Sequence, residues 1–130
     1  MAALGRPPDV MLVHLGGNDI TSQMGKSLAQ DIVWDLERWK VAFPETILVW
    51  STIVPRQQWR ACCDPQIINR SRRGVNRDVC KAMVQRLGIV VGHPRICAAR
   101  AELYRGDGVH LSDQGMELFL SDLKRGLQQV

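Results

Sequence analysis

The chain has 130 residues, of which 45% are hydrophobic and 23% are charged, and its formal net charge is +4. This length is that of one domain, 1–130, with an ordinary globular composition. No apolar run approaches the ~20 residues of a membrane-spanning helix, and Met1–Asp9 has no apolar signal-peptide core. Because the four cysteines show no Cys-x-x-Cys spacing, we expect free thiols and an intracellular, cytoplasmic protein.

The first half of the chain alternates strand, helix and strand. An apolar run over Val10–Leu15 ends at two glycines, which predicts a short strand and a turn. A helix is expected next, because Ser27-Leu28-Ala29-Gln30 has the form of a capping box and apolar residues then recur every three or four positions until Pro44. The run Thr46–Val54 is rich in β-branched residues and predicts a second strand.

The second half continues the alternation. A second helix is predicted from Pro65 or Asn69 to Leu87, closed by Gly88, and a third strand over Leu87–Val91. A third helix should follow Ser112. Its inward-facing side chains would be Met116, Phe119, Leu120, Leu123 and Leu127. Near-continuous apolar strands separated by helices are typical of a parallel sheet in an open α/β sandwich.

Two polar motifs follow predicted strands. In a parallel sheet every strand ends at the same edge, and ligands bind outside those ends. The segments that leave this edge are 16–25, 55–64 and 92–111, and the last is long enough to indicate a functional role. We therefore expect Gly16-Gly17-Asn18-Asp19 and Asp107-Gly108-Val109-His110 to meet on one rim.

The two motifs offer complementary chemistry. A tetrahedral acyl-transfer intermediate needs hydrogen-bond donors for its oxyanion, and Asn18 could supply an NH₂ that the glycines help to aim. His110 could act as a general base, with Asp107 fixing its tautomer. Each motif also has a purely structural interpretation. Gly, Asn and Asp are common in strand-to-helix turns, and Asp107 could simply begin a loop turn beside a packed His110.

The combination resembles the SGNH hydrolases, also called GDSL-type esterases or lipases. Gly16-Gly17-Asn18-Asp19 is similar to their block III, and Asp107-x-x-His110 is similar to their block V. The resemblance spans nearly the whole chain. It implies a flavodoxin-like three-layer α/β/α sandwich, an oxyanion hole that includes Asn18 and Gly17, and Asp107 and His110 as triad partners. An acyl ester would be the substrate, and no cofactor is implied.

The family's nucleophile is the missing part. It is the serine of a Gly-Asp-Ser block on an earlier strand, and no serine of this chain follows a strand in such a context. The serines are Ser22, Ser27, Ser51, Ser71, Ser112 and Ser121. We therefore expect an N-terminally truncated domain, a fragment or pseudoenzyme that is inactive alone. Loss of a neighbouring strand would leave the Val10–Leu15 strand with an open edge that invites self-association.

Further rim residues could complete a pocket. Trp59, His93 and Tyr104 lie in the predicted rim loops and are candidate walls for a substrate. His14, His93 and His110 lack the spacing of metal ligands, so no metal is expected.

The rival hypothesis is a non-catalytic binding or assembly module. It would use the basic helix 69–87 or the open sheet edge, and related esterase-like domains in retroelement-encoded proteins make an element-derived origin conceivable. Nucleic acid is the less favoured partner, because two Phe and one Tyr provide no stacking platform.

Overall fold

The computed structural model of the chain describes residues 5–60 and 64–130. Strands and α-helices alternate along it, in the order β1 (Val10–Val13), α1 (Gly25–Ala42), β2 (Ile47–Ser51), α2 (Pro65–Ala82), β3 (Gly88–Val91) and α3 (Asp113–Leu127). A π-helical turn over Met83–Leu87 joins α2 to β3. A short 3₁₀ helix, Ala101–Leu103, lies in the long connection before α3.

The three strands form one parallel sheet in the order β1-β2-β3. Val10 pairs with Ile47 across β1 and β2, and Leu48 pairs with Gly88 across β2 and β3. The middle strand β2 is completely buried from Leu48 to Ser51. All three strands therefore end at one edge of the sheet, as the apolar pattern predicts.

The sheet lies between two helical layers. Leu48 and Trp50 of β2 point into a core that includes Ile32 and Leu36 of α1 and Val79 of α2. The alternate residues of β2 face the other side, where Ser51 connects through His93 to Asp122 of α3. The prediction of a flavodoxin-like α/β/α sandwich is therefore confirmed.

Two of the three predicted helix starts are observed. Asp64 caps α2 by accepting the N–H of Gln66 at 2.9 Å, and Ser112 caps α3 by accepting the N–H of Gly115 at 3.2 Å. The prediction that Ser27 caps α1 is wrong. The helix has already begun at Gly25, and the Ser27 hydroxyl accepts instead from the Gln23 side chain.

Gly88 closes the π-helical turn, as predicted, because its N–H donates to the Met83 carbonyl, and the same residue begins β3. Its backbone is extended, and a Cβ at this position would lie 2.2 Å from the carbonyl oxygen of Leu48. Only glycine lets β3 approach β2 this closely. The boundary of the third strand was therefore predicted one residue too early.

The inward face of α3 differs from the prediction. Its buried residues are Gly115, Asp122 and Gly126. A Cβ on Gly126 would lie 2.2 Å from Val91, so the missing side chain allows the helix backbone to lie close to β3. The helix is rotated accordingly, and three residues that were predicted to face inward are exposed: Met116, Leu120 and Leu127.

Both outer strands pair with β2 alone in the described residues, and the edge at β1 carries exposed apolar side chains. Leu12 on this edge is 40% exposed, and Leu120 on α3 is 54% exposed. Together with Leu123 and Leu127 they line an apolar depression of about 480 Å³. None of the described helices is long and apolar enough to cross a bilayer.

Candidate active site

The turn after β1 brings Asn18 to the rim. Gly16 has a φ of +106°, and a Cβ there would lie 2.9 Å from the side chain of Ile53. Both the backbone conformation and the lack of space require glycine at this position. The turn is closed by the N–H of Asp19, which donates to the Gly16 carbonyl at 3.1 Å. Asn18 is exposed at its tip.

Arg56 fixes the orientation of the Asn18 amide. Its Nη2 donates to Asn18 Oδ1 at 3.0 Å, and a guanidinium can only donate hydrogen bonds. The Asn18 NH₂ group must therefore face away from Arg56 and stays available to another acceptor. Gly17 permits the close approach of Arg56, since a Cβ on Gly17 would lie 2.9 Å from Nη2.

Asp107 and His110 form a short, exposed pair. His110 Nδ1 lies 2.6 Å from Asp107 Oδ2, while Asp107 Oδ1 accepts the N–H groups of Val109 and His110 at 2.8 and 3.0 Å. The hydrogen bond from the His110 ring contributes most to holding the pKa of the Asp107 carboxyl well below its usual range, and the two backbone hydrogen bonds add to this effect. An ionised carboxylate only accepts, so Nδ1 carries the proton and Nε2 is the free base.

The segment 56–58 links the two motifs. The carbonyl oxygen of Gly108 accepts the N–H groups of Gln57 and Gln58 at 2.8 and 3.0 Å. Gly108 has a φ of +68°, and a Cβ there would lie 2.7 Å from the Gln58 side chain. Because Arg56 contacts Asn18 and the next two residues hold the Asp107–His110 loop, both motifs lie on the same rim.

The three residues predicted as pocket walls are almost completely buried. Trp59, His93 and Tyr104 are 6%, 7% and 6% exposed, so their rings support the rim mainly from inside. The Tyr104 hydroxyl donates to the Pro55 carbonyl at 2.7 Å, and burial raises its pKa to about 12. Trp59 packs into the main core, with the Arg56 guanidinium 4.9 Å above its ring.

A Ser-His-Asp chain of hydrogen bonds, separate from the Asp107–His110 pair, lies inside the protein. His93 Nε2 is 2.7 Å from Ser51 Oγ, and His93 Nδ1 is 3.0 Å from Asp122 Oδ2. Arg95 donates to the other oxygen of Asp122 at 3.1 Å. Ser51 is 0% exposed, so no substrate can reach it. The network fastens α3 to β2 and β3.

The sequence carried a signal for this network that the prediction missed. Asp122 is a carboxylate at helical spacing from Gly115 and Gly126, the other buried residues of α3. A charged residue on a buried stripe requires a partner. In the structure its partners are His93, which lies two residues after β3, and Arg95.

Other expected features can be stated for the described residues. No group of three His, Cys, Asp or Glu side chains in the ranges 5–60 and 64–130 is arranged to hold a metal ion. Cys80 and Cys97 are free thiols. The remaining cysteines, Cys62 and Cys63, lie outside the described residues.

Solved esterases have similar structures. A carbohydrate esterase family 3 protein from Talaromyces cellulolyticus has a TM-score of 0.75 and 17% identity, over 94% of this chain and 58% of its own. A GDSL-like lipase from Bacteroides thetaiotaomicron has a TM-score of 0.78 and 14% identity, over 94% and 63%. An acetyl esterase variant crystallised with acetate has a TM-score of 0.71 and 20% identity, over 94% and 58%. The fold is that of the SGNH esterases.

The predicted resemblance is thus confirmed at the level of the fold. No protein-family model matches the sequence, and no curated protein matches it. The chain spans between 58% and 63% of the length of these three SGNH-type structures.

Proposed function

We propose that this chain is the acid–base and oxyanion-binding part of an SGNH-type serine esterase that acts on acyl esters. The observation that carries the proposal is the Asp107–His110 pair, with its 2.6 Å bond on Nδ1. The His110 side chain is 71% exposed, and no described residue hydrogen-bonds its Nε2. A base that is oriented on one nitrogen and open on the other suits proton transfer from a nucleophile.

The mechanism assigns one role to each residue. His110 Nε2 takes the proton of a serine hydroxyl as the serine oxygen attacks the ester carbonyl, and Asp107 stabilises the resulting imidazolium. Asn18 NH₂ and the Gly17 N–H donate to the oxyanion. His110 then protonates the departing alcohol. A water molecule, deprotonated by the same nitrogen, releases the acid from the acyl-serine.

The nucleophile must come from outside the described residues. No serine among 5–60 and 64–130 hydrogen-bonds His110. The open edge of β1 and the depression between Leu12 and Leu120 are where an added strand and helix would pack. The chain spans 58% and 63% of the length of two similar structures, so those structures contain further segments that could correspond to the added strand and helix. We propose that the chain alone is inactive.

A fusion tests this proposal. A designed strand–helix segment that carries the Gly-Asp-Ser block expected for the SGNH family is placed before Val10. The fused protein should hydrolyse p-nitrophenyl acetate and be labelled by a fluorophosphonate at the added serine. His110→Ala should lower turnover by on the order of 10⁴-fold or more, because triad members act as a unit. A folded fusion whose labelling is unchanged by His110→Ala would refute the proposal.

The open β1 edge also supports a second candidate, an assembly module that self-associates. The basic helix supports a binding role less well, because half of its six cations have internal partners. Arg72 donates to the Ile53 carbonyl, Arg77 pairs with Asp78, and Arg86 pairs with Glu37.

A further inference from the structure

Arg56 is a cation without a counter-charge in the described part of the chain. Its side chain is partly buried, lies against the Trp59 ring and donates one hydrogen bond, to Asn18. No Asp or Glu oxygen among residues 5–60 and 64–130 lies within 4 Å of it. Burial without pairing lowers the pKa of Arg56. Partial burial of an unpaired cation costs free energy, and a ligand anion would offset that cost.

The guanidinium faces a space that could hold such an anion. A depression of about 330 Å³ is lined by Arg56 and by the chain from His14 to Asp19. Arg56 occupies the Oδ1 side of the Asn18 amide, and the oxyanion donor Nδ2 is on the other side of the same group. An anion on Arg56 would therefore be a near neighbour of the ester carbonyl without competing for its donor.

We propose that Arg56 binds an anionic group, a carboxylate or a phosphate, that the substrate carries close to its ester carbonyl. This rests on the proposed function and specifies its substrate class as an acidic ester, such as that of a hydroxy acid, an acidic sugar or a phosphorylated alcohol. The planar guanidinium fork matches two oxygens of either group. Asp19 on the same depression limits the ligand to a single anionic group.

Binding can be measured on the chain as it is, because no nucleophile is needed. The probes are acetate, methyl phosphate and neutral acetamide, and the readout is the ¹⁵N NMR shift of the Gly17 N–H and the Asn18 NH₂ group. Acetate, methyl phosphate or both should shift these signals, and acetamide should not. If acetate binds more tightly, the substrate's anionic group is a carboxylate, and if methyl phosphate binds more tightly, it is a phosphate.

Variants test the residue. Arg56→Gln should weaken anion binding about tenfold or more, because it removes a charge-assisted contact. Arg56→Lys keeps the charge without the fork and should fall in between. Arg60→Gln, an exposed arginine of the same loop, is the matched control and should bind like the parent. Thermal unfolding verifies that each variant is folded.

Three results would overturn the inference: no shift with either anion, equal shifts with acetamide, or an Arg60→Gln effect as large as that of Arg56→Gln. A different result would refute the proposed function without refuting the anion site. If the fused protein has no esterase activity while the chain retains Arg56-dependent anion binding, the esterase assignment is wrong and the anion site stands.

Discussion

Asp107 accepts three hydrogen bonds, and one of them decides the chemistry of His110. Two come from the backbone N–H groups of Val109 and His110 and shape the loop. The third comes from His110 Nδ1 and selects the tautomer in which Nε2 is free. The chemistry and the local fold therefore depend on different oxygens of the same carboxylate.

Asp107→Asn should separate these two functions. The amide oxygen can still accept the backbone bonds, but an NH₂ group facing the ring would favour the other tautomer, with the proton on Nε2. Long-range ¹H–¹⁵N spectra of the neutral imidazole should show a proton on Nδ1 of His110 in the parent and on Nε2 in the variant. Unchanged tautomers would show that Asp107 does not orient the ring. His14, whose Nδ1 lies 3.3 Å from the Ser51 carbonyl, is the internal reference.

Desolvation of His93, which is buried, and of the partly covered His14 ring should make the free energy of unfolding fall at mildly acidic pH. Burial lowers the pKa of His93 and of His14 from 6.5, although hydrogen bonds partly oppose the shift. Below that value the unfolded chain binds more protons than the folded one, so the free energy of unfolding should decrease as pH falls from 7 through about 6. Urea unfolding between pH 8 and 5 measures the slope, and His93→Gln should reduce it. A flat or rising profile towards pH 5 would contradict this explanation.

The order of the strands and helices could be predicted from the sequence, but the packing of each helix against the sheet could not. Strand β2 was predicted from its β-branched residues, and α3 from its Ser112 cap. The rotation of α3 was missed, because apolar spacing cannot show that Gly115 and Gly126 allow the closest approach to the sheet. The hydrogen-bonded network of Ser51, His93 and Asp122 is not predicted for a different reason. These residues are distant in sequence, and only the fold brings them together.

The open edge of β1 yields a prediction about association. Strand edges with unpaired N–H and C=O groups attract other strands, and Leu12 adds exposed apolar surface on this edge. Leu12→Lys should lower self-association, and Val41→Lys, at an 82% exposed site on α1, should not. Light scattering over a range of concentrations measures both. Monomeric parent protein at high concentration would show that the edge is blocked.

At the scale of the molecule, sequence alone located both polar motifs on one rim, because parallel strands share a carboxyl end. It could not show that the segment 56–58 joins them, since Arg56 and Gly108 are far apart in the chain. The similarity to known proteins is also a property of the whole fold. The α/β/α fold is shared with SGNH-type structures, while this chain spans only part of their length.

The proposed function gives this chain a base and an oxyanion donor but no nucleophile. Fluorophosphonate labelling of the purified chain, followed by intact mass and peptide mapping, tests this proposal. We expect an unmodified mass, because Ser51 is buried and no described serine hydrogen-bonds His110. Stoichiometric labelling of one serine, abolished by His110→Ala, would show that the chain carries a complete active site of its own.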